Sequence, residues 1–206
     1  MLSLLALRPG STVAVEELAA AVWGEDADVP DVLETLRVYL SNLRSLLDPG
    51  RSRGNVGSRV VRDGSGYRLL VRPEELDVLR FSHGVAAARR SAAAGDLVAA
   101  DSGFRDAEAL WRGAAFPDLE DSLRTQPDLA ALRELHLSAI EDRIDVEMAL
   151  GRHASVVSEA LALAQAHPMR ERMRGQLMLA LYRCGHQEEA LAVYADLRST
   201  LAESVG

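Results

Sequence analysis

Lysine is absent from this chain: its 23 basic residues are all arginine. A GxxxxGK[ST] phosphate loop is therefore excluded, and no GxGxxG run takes its place. The uniform use of Arg is what a GC-rich genome produces and carries little functional weight. Cysteine is almost missing as well. Cys184 alone cannot build an intramolecular disulfide framework or a multi-cysteine zinc site, and it suits a reducing cytoplasm. His186 is two residues away, but nothing else in the sequence builds a catalytic thiol site, so Cys184 reads as structural. The 5 histidines are scattered without HxxxH or HExxH spacing, so no metal site is expected. Aromatic residues make up only 4% of the chain while Ala and Leu abound, which favours helix packed on helix over a β-sandwich. No apolar run approaches the ~20 residues that cross a bilayer. Met1 to Leu7 is too short for a signal peptide, so a cytoplasmic protein with no membrane partner is expected.

Charge is present and uneven. Residues 1–72 hold nine Arg and nine acids; residues 73–206 hold fourteen Arg and twenty-two acids, which accounts for the whole net charge of −8. At Arg72-Pro73-Glu74-Glu75 a proline ends a strand and carboxylates begin a helix, so the domain boundary is placed between 72 and 73.

The first part opens on an apolar fragment at 2–7, stopped by Arg8-Pro9-Gly10. A second helix is predicted at 15–23, ended by Gly24, and an acidic loop from Glu25 to Pro30 leads to a third helix from Asp31 to Leu47. Asp31 is its expected N-cap. Leu33, Leu36, Leu40, Leu43 and Leu47 recur at three- and four-residue spacing, the buried stripe of an amphipathic helix. Val60-Val61 and Tyr67-Leu69-Val71 read as two strands around the turn Asp63-Gly64-Ser65-Gly66.

From Leu76 to Leu201 the apolar period is 3.6, broken at Gly95, Gly113 to Pro117, Pro127, Gly151, Pro168 and Gly185, giving six helices in hairpins. Gly95 precedes Ala100 and Phe104 by the same intervals as Gly185 precedes Ala190 and Tyr194. Gly151, with Val156 and Ala160, is the middle copy, 34 residues before Gly185. That period matches the tetratricopeptide pattern, a stack that binds proteins or neighbouring domains. Glu141, Asp142, Asp145 and Glu147 are expected to form a solvated acidic face. Trp23 and Trp111 are expected to pack in cores.

The functional signal lies at 36–72. Eight arginines there (37, 44, 51, 53, 59, 62, 68 and 72) meet only Asp48 and Asp63, a local net of +6. A helix followed by a glycine-turned hairpin is how a winged helix-turn-helix offers a reading helix and a wing to double-stranded DNA, and the basic island supplies phosphate contacts. Arg51, Arg53 and Arg59 are candidates for such contacts. Asn42 and Arg44 are candidates for reading adenine and guanine, with phosphate an equal alternative for Arg44. No constellation for catalysis is present, so neither an enzyme nor a cofactor is expected.

These motifs carry a resemblance. Arg8-Pro9-Gly10, Glu16-Glu17-Leu18, Trp23-Gly24, the run Val38 to Arg44 and Gly64-Ser65-Gly66-Tyr67 are similar to the winged helix of OmpR-type regulators. Trp111-Arg112-Gly113, Leu150-Gly151-Arg152-His153, Ala166-His167-Pro168, Arg170-Glu171 and Leu177 to Gly185 resemble the bacterial transcriptional activator domain. Together, over nearly the whole chain, they resemble the antibiotic regulatory proteins of actinomycetes, the SARP or AfsR-like family. The resemblance implies a mainly α protein: a winged helix-turn-helix at 1–72 and an all-α tetratricopeptide-like domain at 73–206. It implies a pathway-specific activator of secondary metabolism that dimerises on promoter direct repeats and recruits RNA polymerase. Carried over by position, Arg37, Ser41, Asn42 and Arg44 fall on the groove face, Arg62 in the wing, and Tyr67 where an aromatic packs the wing onto the helices. Where the family often has a Ser-Arg phosphate contact this chain has Ala14-Val15, with Thr12 as the possible substitute. The family's N-terminal sheet and full first helix have no counterpart, and the family continues past Glu203 to Gly206, so a sequence truncated at both ends is expected. The alternative is a helical-repeat interaction module whose incomplete winged helix no longer binds DNA.

Overall fold

The computed structural model describes residues 1–24, 29–49, 58–119 and 127–205. Contacts divide the chain into two compact units, 1–81 with 111–134, and 82–110 with 135–206. Charge composition marks a single change near residue 73, whereas the contacts return residues 111–134 to the first unit.

In the first unit, α1 (Leu2–Leu7), β1 (Thr12–Ala14), α2 (Val15–Trp23), α3 (Val29–Leu47), β2 (Val60–Asp63) and β3 (Gly66–Leu69) follow in order. The strands form an antiparallel sheet in the order β1-β3-β2, with Val13 opposite Tyr67 and Arg62 opposite Tyr67 on the other side. The leucine stripe of α3 is oriented as its spacing predicts. Leu36 and Leu40 are fully buried against Leu4, Leu5, Val13, Leu18, Val60, Tyr67 and Leu69, with Leu43 and Leu47 at the margin. Each such leucine contributes about 2 kcal/mol of burial. Trp23 stacks on Tyr39 with ring centroids 5.6 Å apart, which ties α2 to α3.

Three details differ from the sequence reading. Helix α3 begins at Val29, so Asp31 lies inside the helix and is not its N-cap. Thr12, the possible substitute for the phosphate contact, lies in β1, where its hydroxyl donates to Asp63 Oδ2 at 2.5 Å, and Ala14 precedes α2 without a side-chain cap. The last strand ends at Leu69, short of Val71. Gly66 is fixed by the β1 to β3 approach. A Cβ there would lie 2.2 Å from the Val13 carbonyl oxygen.

A 3-10 turn at Pro73–Glu75 leads into α4 (Asp77–Ala93), followed by α5 (Leu97–Glu108), α6 (Pro127–Ala149), α7 (His153–Ala166), α8 (Glu171–Arg183) and α9 (Gln187–Val205). The three repeat glycines end their helices identically. Gly95, Gly151 and Gly185 have φ of +81°, +80° and +84°. Each donates its N–H to the carbonyl three residues back, while the next residue donates to the carbonyl five back, the Schellman arrangement. The side chains nine residues on do not share one environment. Phe104 and Ala160 are fully buried but Tyr194 is 51% exposed. Among the described residues no helix is long and apolar enough to cross a membrane.

The acids of α6 are a correction. Glu141 and Glu147 are buried, not a solvated face. Arg170 reaches Glu141 at 2.8 Å, while Arg172 bridges Asp142 and Asp145 at 2.7 Å each. Buried Arg143 joins Glu147, Glu108 (2.8 Å) and Glu159 (2.5 Å). Burial disfavours its charge, yet the hydrogen bonds it donates to Glu159 and Glu108 outweigh that and raise its pKa. Glu108 is instead held toward its neutral form: burial raises its carboxyl above the usual range despite Arg143.

Candidate nucleic-acid interface

Helix α3 presents Arg37, Val38, Ser41, Asn42 and Ser45 to solvent on the side away from Leu36 and Leu40. The hairpin β2-β3 stands beside the end of that helix through named contacts. Arg44 Nε donates to the Val60 carbonyl at 2.8 Å, and its guanidinium lies 5.5 Å from the Tyr67 ring centroid. Asp48, just past the helix, accepts from the Arg59 backbone N–H at 3.0 Å and from the Ser58 hydroxyl at 3.3 Å. These bonds hold helix and hairpin in one body. Gly64, at φ +56°, turns the hairpin between Asp63 and Gly66.

The arginines of the basic island separate by partner. Arg59 meets Glu75 at 2.6 Å and Asp48 at 3.7 Å; Arg68 meets Asp63 at 3.8 Å; Arg72 meets Glu75 at 3.2 Å. Arg44 is half-buried against the sheet. Arg51 and Arg53 lie outside the described residues. Among the described residues Arg37 and Arg62 have no ion-pair partner, and both are exposed. The +6 of residues 36–72 is therefore an overcount. Glu75, three residues past the end of that stretch, binds two of its arginines. The Arg72 backbone N–H, its side chain and the Arg59 charge hold the Glu75 carboxyl below the ordinary glutamate range. What remains is a helix face of Arg37, Ser41 and Asn42 and a strand carrying Arg62, while Arg44 and Arg59 are engaged in holding the parts together. Tyr67 is buried between sheet and helices, as its structural assignment anticipates.

Comparison with known proteins meets this geometry. Residues 1–69 match the family described as "Transcriptional regulatory protein, C terminal", and residues 76–206 match the "Bacterial transcriptional activator domain". The chain belongs to the SARP, or AfsR-like, family of regulators. Among the SARP-type relatives, Regulatory protein AfsR of Streptomyces coelicolor is 41% identical over 100% of this chain and 20% of its own length. Regulatory protein DnrI of Streptomyces peucetius is 35% identical over 99% of this chain and 76% of its own. The solved structure of Mycobacterium tuberculosis EmbR, in complex with a low affinity phosphopeptide, superposes with a TM-score of 0.88 at 32% identity. That match covers 100% of this chain and 53% of EmbR. The chain thus spans a fifth of AfsR and about half of EmbR. Both matched families are transcriptional regulators, which in general are not enzymes.

Proposed function

We propose that the chain is a DNA-binding transcriptional regulator, a pathway-specific activator that inserts α3 into the major groove and rests the β2-β3 wing beside it. Domain 1–72 provides the contact with DNA. Domain 73–206 positions it, mediates dimerisation on promoter direct repeats and offers a surface to RNA polymerase. It acts in the cytoplasm, on the nucleoid when bound. The observation that supports this reading most is the pair of exposed arginines with no ion-pair partner among the described residues, Arg37 on the α3 face it shares with Ser41 and Asn42, and Arg62 on the wing. An unpaired guanidinium on a groove-sized helix offers charge to phosphate or a fork to guanine. Asn42 can pair with adenine, and Arg44 and Arg59 act as positioning residues between helix and wing.

The test is duplex binding measured over a range of salt. Arg37→Ala and Arg62→Ala each lower affinity, and a variant that has lost a phosphate contact lowers the salt slope by about one. Arg72→Ala, whose side chain is paired with Glu75, leaves both almost unchanged. Affinity unaffected by replacing Arg37, Ser41, Asn42 and Arg62 together would sink the reading.

A further inference from the structure

One side chain on the exposed face of α3 does not fit a polar surface. Val38 is 52% exposed, although its neighbours Arg37, Ser41, Asn42 and Ser45 are polar. At 3.6 residues per turn it sits roughly 160–200° around the helix from Leu36 and Leu40, at the centre of the outward face. Among the residues of the helix whose side chains are described, the other two exposed large apolar ones are placed differently: Tyr39 is stacked on Trp23, and Leu46 lies two turns on, toward the helix end. Ser41 and Asn42, three and four residues on, are the helical neighbours of Val38. An apolar branched side chain between groups that can hydrogen-bond base edges is suited to one feature of the major groove, the C5-methyl of thymine.

We propose that Val38 is a specificity-determining residue, its methyl groups closing on the C5-methyl of a thymine next to the base met by Asn42 or Ser41. The inference rests on the reading of α3 as the groove helix. Adenine pairs with thymine, so an Asn42 contact to adenine on one strand and a Val38 contact to the thymine methyl of a neighbouring pair are compatible within one A·T-containing step. Thymine and uracil differ only by that methyl, which makes the contact separable from every hydrogen bond.

The experiment uses the full chain and a duplex it has itself enriched from a random pool. Each thymine is replaced in turn by deoxyuridine, and binding is compared for the chain and for Val38→Ala. At one position of each bound site the chain loses about fourfold in affinity, equivalent to the ~0.8 kcal/mol of one buried methylene-sized group. Val38→Ala binds thymine and uracil duplexes equally at that position. Arg62→Ala binds both more weakly but keeps their ratio. A chain indifferent to every substitution, a Val38→Ala variant with the same uracil penalty, or a ratio lost in Arg62→Ala overturns the inference while leaving the groove reading intact. Failure to enrich any duplex overturns the groove reading itself, and the Val38 inference with it. Because Val38 lies outside the core, an unchanged thermal melt for Val38→Ala checks that the loss is one of recognition.

Discussion

Single positions in the first unit set limits that charge counting does not reveal. Gly66 is required by distance, not by turn geometry: its Cα faces the Val13 carbonyl across the β1-β3 pair, and a Cβ would sit 2.2 Å from that oxygen. Gly66→Ala must push backbone against backbone, so it is expected to cost about 1–3 kcal/mol and to lower the melting temperature of the winged unit. Circular dichroism of the full chain would show it. In the second unit, Asp101 is buried, which opposes its charge. Hydrogen bonds from Arg152 at 2.5 Å and Arg105 at 2.9 Å outweigh that and lower its pKa. A lowered carboxyl contributes stability that is present above its unfolded value and lost as pH falls through the folded one. Asp101→Asn should therefore lower the melting temperature at pH 7, with the gap closing below about pH 4. A gap that stays constant down to pH 2 would assign the effect to packing alone.

Elements were legible to the extent that they are periodic. Helices α2 and α3 and the β2-β3 hairpin follow from leucine spacing and from Gly64, because each is specified by neighbours in sequence. Strand β1 does not. Its three residues are too few for alternation to register, and its pairing partner Arg68-Tyr67-Gly66 lies more than fifty positions away. The same distance effect governed the candidate site. The outward phase of Arg37, Ser41 and Asn42 could be read from the helix period, while the engagement of Arg44 with Val60 and of Arg59 with Glu75 depends on tertiary proximity. The burial of Glu141 and Glu147 is hidden from the sequence for that reason too: Arg170, just before α8, and Arg105 of α5 reach them from distant positions. Across the repeats, equivalent positions should respond unequally. Phe104→Ala opens a cavity in a closed environment and is expected to cost about 3–5 kcal/mol. Tyr194→Ala removes a side chain already half in water and should cost under half of that. Denaturant midpoints of the two variants decide the matter, and equal losses would show that sequence register, not burial, sets the energetics.

At the scale of the molecule, the net charge is −8, and many of the described arginines are paired with carboxylates of the same chain. The first unit also does not end where the winged-helix motif ends. Phe116 packs against the core of Leu4, Leu36 and Tyr67, and Asp128 meets Arg8 Nε at 2.5 Å. A fragment of residues 1–81 should melt at a lower temperature than the same fragment joined by a short linker to 111–134. Coincident melts would show that the later segment adds nothing.

That returning segment also limits how such regulators can be recombined. A chimaera that exchanges reading heads between relatives by one crossover near residue 72 would pair a new head with the old 111–134 brace, mismatched at Arg8 and at the Phe116 pocket. Exchange by two crossovers, moving both stretches as one heritable unit, would keep head and brace matched, so hybrids with altered promoter choice should arise by the second route.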